Sequence, residues 1–333
     1  MKALSLPFLA LFFALAPPPL LAQDATCSGK NLVVELQRDD PQALAGIREK
    51  AAQTENGEGL LWKIERAGAA PSFLFGTMHV TDPRVLALPP AADEALDAAD
   101  RLVIETTDAL SQNRMMAVLA KRPDLMMFTD ATTLMSLLAP EQRKTVENGL
   151  QARGIGLASV NKMKPWILAA MLASSPCELA RQAKGAIVLD ATLADKASGA
   201  NKDVLGLETG IEQLEAMAKL PMSFHLQSLV DTVALGDGIN DVNETMIALY
   251  KEGEIALLWP LLDHVMPDPD GQGYAQFEQV LITQRNHVMA ERAQPILAQG
   301  GAFMAVGALH LPGKEGLVSL LRNSGFTVTQ VVR

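Results

Sequence analysis

The apolar and polar positions of this chain fall into two strand-rich ends around a long helical middle. Leu60 to Arg66 alternates apolar and polar side chains, the period of a half-buried strand. Ala67 to Pro71 is a turn and Ser72 to Phe75 a second strand, so the pair predicts a hairpin. After a loop with Asp82-Pro83, the spacing predicts a helix over 90–99 and a strand over 102–105. The C-terminal end follows the same order: an apolar strand over 302–306, a loop at Pro312-Gly313, a helix over 315–324 and a β-branched strand over 326–332. From 110 to 298 the helical period dominates. Helices start at Ser111, Pro140-Glu141 and Pro165-Trp166, another covers 187–197, and a long one covers 277–297. Asn31 to Ala52 is helical with a break at Pro41, and the strand-like run Asp203 to Glu208 is a candidate for the same sheet. The expected fold is α/β: a mixed sheet core from duplicated N- and C-terminal units of strand, Gly-x-x-His, helix and strand, with a large helical insertion.

The two ends share more than their order of elements. Phe73-Leu74-Phe75 leads into Gly76-Thr77-Met78-His79, and Phe303-Met304-Ala305-Val306 leads into Gly307-Ala308-Leu309-His310. With five histidines in 333 residues, two in one local frame mark a candidate site. A glycine allows a close turn and a buried strand holds the histidine that follows it. If the strands are neighbours, the imidazoles converge as a divalent transition metal requires. A hydrolytic site also needs a carboxylate that ligates the ion or takes a proton from water, and Glu105, ending the strand of the first unit, is the candidate. Each signal has a plainer reading: a strand-end acid is often only solvated, and paired glycine-histidine turns can simply close a fold. Arg285 shares a helix face with Ile282 and Met289, and Asn286 lies beside it; both suit ligand orientation or loop bridging. Glu208 stands at the end of the other strand-like run. His225, His264 and His287 lack any such frame and read as packing or surface residues.

Composition narrows the setting. Lys2, an apolar run from Ala3 to Ala16, a triple proline and Ala22 have the make-up of a secretory signal peptide over 1–22. The expected remainder is one exported domain over 23–333, periplasmic or secreted, with 23–109 and 299–333 as the α/β core and 110–298 as the insertion. Export favours a disulfide between the two cysteines, Cys27 and Cys177, over a catalytic thiol at Cys177. The net charge of −10 without a basic run argues against a nucleic-acid partner, and no later segment is long and apolar enough to span a membrane. Several catalytic signatures are absent. Gly307 to Lys314 misses the spacing and hydroxyl residue of a phosphate loop, and neither His-Glu-x-x-His nor Gly-x-Ser-x-Gly occurs.

Taken in order, Phe73 to His79 with Asp82-Pro83, Val103-Ile104-Glu105, Leu207-Glu208-Thr209 with Glu212-Gln213, Arg285-Asn286, and Gly307 to Gly313 resemble the TraB/GumN family, which is related to the Tiki metalloproteases. The resemblance spans about 27–333. It implies an α/β core with strands from both chain ends, and a manganese- or cobalt-dependent protease that uses two Gly-x-x-His motifs and an acidic residue. Carried onto this chain, His79 and His310 bind the metal, Glu105 is the acid, and Arg285 and Asn286 line the pocket, with Gly76, Gly307 and Glu208 as secondary candidates. The resulting expectation is an exported hydrolase, a peptidase before other classes, that uses a divalent ion (Mn, Co or Zn) on a peptide or small molecule. The alternative is a non-catalytic protein that binds metal, haem or a small ligand in the same pocket, a possibility the wider superfamily implies through its haem-binding members.

Overall fold

A computed structural model describes residues 27, 29–266 and 273–332; the expected signal peptide over 1–22 lies outside the described residues. Six strands form one sheet: β1 (Leu61–Glu65), β2 (Ser72–Thr77), β3 (Arg101–Ile104), β4 (Asp203–Gly206), β5 (Ala302–Gly307) and β6 (Thr327–Val332). Their order is β4-β3-β5-β2-β1-β6. The hairpin predicted from the alternation pairs Leu61 with Phe75 across β1 and β2. β4, β3, β5 and β2 are mutually parallel, and β1 is antiparallel to both β2 and β6.

Parallel strands are covered on both faces and therefore read as apolar runs rather than as alternation. Phe75, Leu102, Ile104, Phe303 and Ala305 face the helices at Pro90–Ala98 and Leu189–Gly199. Leu74, Val103, Met304 and Val306 face the helices at Gln284–Leu297 and Leu317–Asn323. Burying each large side chain of this kind is worth roughly 1.5–3 kcal/mol, so the central strands hold the sheet together. The run from Asp203 does join the sheet, on its edge beside β3. The two end units differ in span: β2 passes β5 to reach β3, while β5 passes β2 and β1 to reach β6. Part of the helical middle has its own core around Leu134, Val146, Leu150, Leu168 and Leu229, with no strand residue in it.

Three further features position the site. The four parallel strands all end at one edge of the sheet, where ligands collect in open α/β folds. The long C-terminal helix contains a π-helical turn at Gln279–Thr283, directly before Arg285 and Asn286. Its helical period hides this wider turn, which is frequent at functional sites. Cys27 and Cys177 are joined by a disulfide with Cα atoms 5.3 Å apart, so Cys177 is not a free thiol. No helix among the described residues is long and apolar enough to cross a membrane.

Candidate active site

Each of the four parallel strands delivers one polar side chain just past its carboxyl end: Glu208 after β4, Glu105 after β3, His310 after β5 and His79 after β2. Sheet order therefore places Glu105, His310 and His79 on consecutive strands. The His79 and His310 Nε2 atoms lie 3.8 and 3.7 Å from the same oxygen, Glu105 Oε1. Sequences 231 residues apart thus converge (79 and 310), because β2 and β5 pair in register from Phe73–Phe303 to Thr77–Gly307.

The orientation of each ring is set from behind. His79 Nδ1 meets Asp190 Oδ2 at 2.8 Å, and Thr77 Oγ1 donates to Asp190 Oδ1 at 2.9 Å. A carboxylate only accepts, so Nδ1 carries a proton, and Nε2 is the nitrogen that can offer a lone pair once it gives up its own. His310 Nδ1 meets Asn286 Oδ1 at 2.7 Å, while Asn286 Nδ2 donates to the Glu315 carbonyl at 2.8 Å. That second bond fixes which way the amide points, so His310 also carries its proton on Nδ1. Asn286 thus holds the His310 ring in its orientation. Asp190 has the same place behind His79, and sequence reasoning missed it: it sits in the first turn of a helix whose other positions follow an ordinary apolar period.

Glu105 is buried and heavily bonded. Gly307 N–H donates to Oε1 at 2.7 Å, Gln213 Nε2 to Oε2 at 3.1 Å and Arg285 Nη2 to Oε2 at 2.5 Å. Arg285 also donates to Glu208 through Nε (3.0 Å) and Nη2 (2.7 Å), and its Nη1 reaches the Leu281 carbonyl at 3.2 Å. One guanidinium therefore braces two buried carboxylates, an arrangement that loses several kcal/mol if the cation alone is removed. Gln213 belongs to the same network and drew no role from its sequence.

The two histidines differ sharply in proton affinity. Desolvation at His79 opposes its charge, but the Asp190 carboxylate and then Glu105 outweigh it and raise the pKa to about 9, although the ring keeps 57% of its surface open. Burial dominates at His310 and pushes its pKa down to about 4. For Glu105, burial pushes the carboxyl up, while the charges of His310, His79 and Arg285 and the Gly307 N–H overcome it and hold the pKa at about 2.

The donor set, two imidazole nitrogens and one carboxylate oxygen, suits a divalent transition ion. Donors on one ion with bonds of about 2.1 Å stand roughly 3.0–3.5 Å apart. The two N···O separations exceed this by a few tenths of an ångström, and among the described residues no group of three His, Cys, Asp or Glu is closed up to hold an ion. Space for one exists. A Cβ added at Gly307 would lie 3.2 Å from Glu105 Oε1, 3.5 Å from His310 Cδ2 and 3.6 Å from His79 Nε2, so the missing side chain leaves a cradle among the three. Gly307 has φ −50° and Gly76 is not among the positive-φ glycines, so neither glycine is needed for an unusual turn. Both are needed for close approach, which differs from the tight-turn role expected from sequence. Of the other histidines, His225 is buried among helices while His264 and His287 are exposed.

The model of the TraB/PrgY/gumN family matches residues 60–330. Among curated proteins the chain is similar to Metalloprotease TIKI2 of Danio rerio, 24% identical over 331 residues that cover 84% of this chain and 62% of that protein. It is also similar to Metalloprotease TIKI1 of Danio rerio (25% over 342 residues, 89% and 68%) and Metalloprotease TIKI2 of Xenopus tropicalis (24% over 322 residues, 82% and 60%). The chain thus spans 60–68% of the length of these relatives. No solved structure matches it.

Proposed function

We propose that this chain, which belongs to the TraB/PrgY/gumN family, is an exported metal-dependent peptidase with a divalent ion held by His79, His310 and Glu105. The observation that carries this reading is the pair of imidazoles whose Nδ1 atoms are engaged by Asp190 and Asn286, leaving both Nε2 atoms within 3.8 Å of one Glu105 oxygen. Outer partners of this kind accompany metal-bound histidines and fix their tautomers. The names of the relatives, metalloproteases, support a peptide as the substrate class.

A bound divalent ion would supply Lewis-acid polarisation of a carbonyl oxygen and a lowered pKa for water. Glu105 stays ionised at neutral pH because Arg285 and the Gly307 N–H stabilise its charge. With a pKa of about 2 it is a weak base, better suited to hold and orient than to remove a proton by itself. Arg285 keeps that carboxylate in place and carries the positive charge nearest to it. Asn286 and Asp190 hold the rings so that a reacting group meets Nε2 and not Nδ1.

A second reading, a non-catalytic metal or small-ligand binder, is favoured by the Arg285 ion pair, which already occupies Oε2 of Glu105. One experiment separates the two. The full chain is stripped with a chelator, reloaded with Mn²⁺, Co²⁺ or Zn²⁺, and assayed for bound ion and for cleavage of a peptide pool. The expected result is one ion per chain with peptide cleavage, both lost in His79→Ala and His310→Ala with an unchanged circular dichroism spectrum. Ion binding without cleavage selects the binder, and full cleavage by stripped protein refutes the metal mechanism.

A further inference from the structure

Beside the donor trio lies a cleft of about 360 Å³ whose polar wall is His79, Glu105 and His310. Its other walls are apolar: Met246 and Leu249 from the helix at Gly238–Glu252, Leu258, and Phe277, Leu281 and Ile282 from the helix that carries Arg285. The remaining polar groups of the lining have their donors committed within the protein. Tyr250 Oη donates to the Gly76 carbonyl at 2.8 Å, Thr77 Oγ1 to Asp190 at 2.9 Å, and Asn243 Nδ2 to Ile239 O at 2.8 Å and Ala173 O at 3.0 Å. An acidic side chain entering from the substrate would find none of these donors free, a basic one would find only neutral oxygens away from the trio, and burying a charge without an ionic partner is strongly unfavourable. A volume near the lower end of the range for binding pockets fits one large side chain with its adjoining backbone.

We propose that this cleft is the subsite for one large apolar side chain of a peptide substrate, Leu, Met or Phe, next to the bond presented to His79, Glu105 and His310. This rests on the peptidase reading and deepens it by naming what the peptide must carry. The cleft is continuous with the donors, so a peptide whose carbonyl reaches them places a neighbouring residue between Met246 and Phe277. The π-helical turn serves both parts: Leu281 and Ile282 lie within it and line the cleft, and Arg285 follows two residues beyond its end.

The test measures binding separately from turnover. Blocked peptides with a reduced, non-cleavable central bond and one varied flanking residue are titrated against the full manganese-loaded chain. Leu, Met and Phe peptides are expected to bind on the order of 10-fold or more tighter than Ala, Asp or Lys peptides, the scale set by apolar pockets. Met246→Asp and Phe277→Asp are each expected to erase that preference; because both side chains also pack on neighbouring apolar residues, an unchanged circular dichroism spectrum and retained Mn²⁺ binding report that the fold is intact. Equal binding of all peptides, no peptide binding, a preference that survives both variants, or binding of a fatty-acid probe with none by peptides overturns the proposal. Cleavable versions of the same peptides separate it from the reading beneath. Cleavage without an apolar preference refutes the subsite and leaves the peptidase, while apolar-selective binding without cleavage refutes the peptidase and leaves the subsite.

Discussion

The two Gly-x-x-His turns leave neighbouring parallel strands in one sequence frame and end in opposite environments. His310 closes a short 3-10 turn, is 4% exposed, and is backed by a neutral amide that is itself buried. His79 lies in a loop with its ring open to the cleft, backed by the Asp190 carboxylate. The glycines also part company. A Cβ at Gly76 would press on the Ala308 Cα at 3.0 Å, so that glycine lets one turn pack on the other, whereas Gly307 leaves room among the donors. A shared motif therefore sets where a histidine emerges from the sheet, while burial at His310 and the Asp190 carboxylate at His79 drive their proton affinities apart. The asymmetry extends to the supports: the His310 side rests on the sheet and the helix at Gln284–Leu297, while the His79 side is tied down by the helical middle.

Those ties offer the largest way to break the comparison. Glu178 accepts from Thr81 N (2.9 and 3.0 Å) and Thr81 Oγ1 (2.9 Å), two residues beyond His79, and its helix at Pro176–Ala183 carries Cys177 of the disulfide. Asp82 adds ion pairs to Arg84 and Arg181. Removing a native disulfide typically costs about 2–5 kcal/mol. Cys177→Ser with Cys27→Ser is expected to lose stability on that scale in denaturant titrations. Amide hydrogen exchange should rise first around 79–84 and leave 305–311 protected. Equal loosening of both turns would show that the disulfide supports the whole sheet edge and not the His79 side alone.

The glycines give the next contrast. Gly76→Ala drives a Cβ against Ala308 Cα and Cβ and Leu311 Cδ2 of the other turn, an overpacking expected to cost about 1–3 kcal/mol. Gly307→Ala meets only side-chain atoms at 3.2–3.6 Å, all of them around the ion cradle. Its fold cost should stay below about 1 kcal/mol, while metal affinity falls on the order of 10–100-fold, the range seen when support around a metal is disturbed. Paired denaturation and metal titrations check both; equal metal losses in the two variants would remove the distinction.

How much of this was legible in the chain depends on whether a residue's place is set locally. His79, Glu105 and His310 each follow a buried apolar strand by one to three residues, so local pattern alone carried them to the sheet edge. Asp190 could not be read, because its partner His79 lies 111 residues away and only the packing of the Leu189–Gly199 helix on the sheet brings them together. The apolar cleft was hidden for a similar reason. Periodicity marks Met246 and Phe277 as apolar helix positions, yet does not say that the space between them stays open. The π-helical turn escaped because five residues of wider winding leave a 3.6-residue pattern nearly intact. The run at Asp203 could be read as a strand, while its parallel pairing with β3 is a tertiary fact.

The smallest expected effect is on pH dependence, and it tests the comparison most directly. In chelator-treated protein His79 has a folded pKa of about 9, above its ordinary 6.5, so its stabilising contribution is complete below 6.5 and fades as pH rises through 9. His310 has the opposite sign. Its folded pKa of about 4 lies below 6.5, so its contribution is present above 6.5 and fades as pH falls toward 4. Glu105, held at about 2 against an ordinary 4.5, adds to the acid side only below 4.5. The two turns thus bound stability from opposite sides of neutrality. Because the His79 ring is more than half exposed, solvent screening keeps the alkaline limb shallow. Asp190→Asn replaces the charged partner by an amide like that behind His310, and is expected to flatten the alkaline limb while the acid limb stays in place. Denaturant midpoints from pH 4 to 10, with histidine ring titrations by NMR, measure both limbs. An alkaline limb that persists in Asp190→Asn would mean that the partner behind Nδ1 does not set the charge of this site, and the contrast between the turns would have to rest on burial alone.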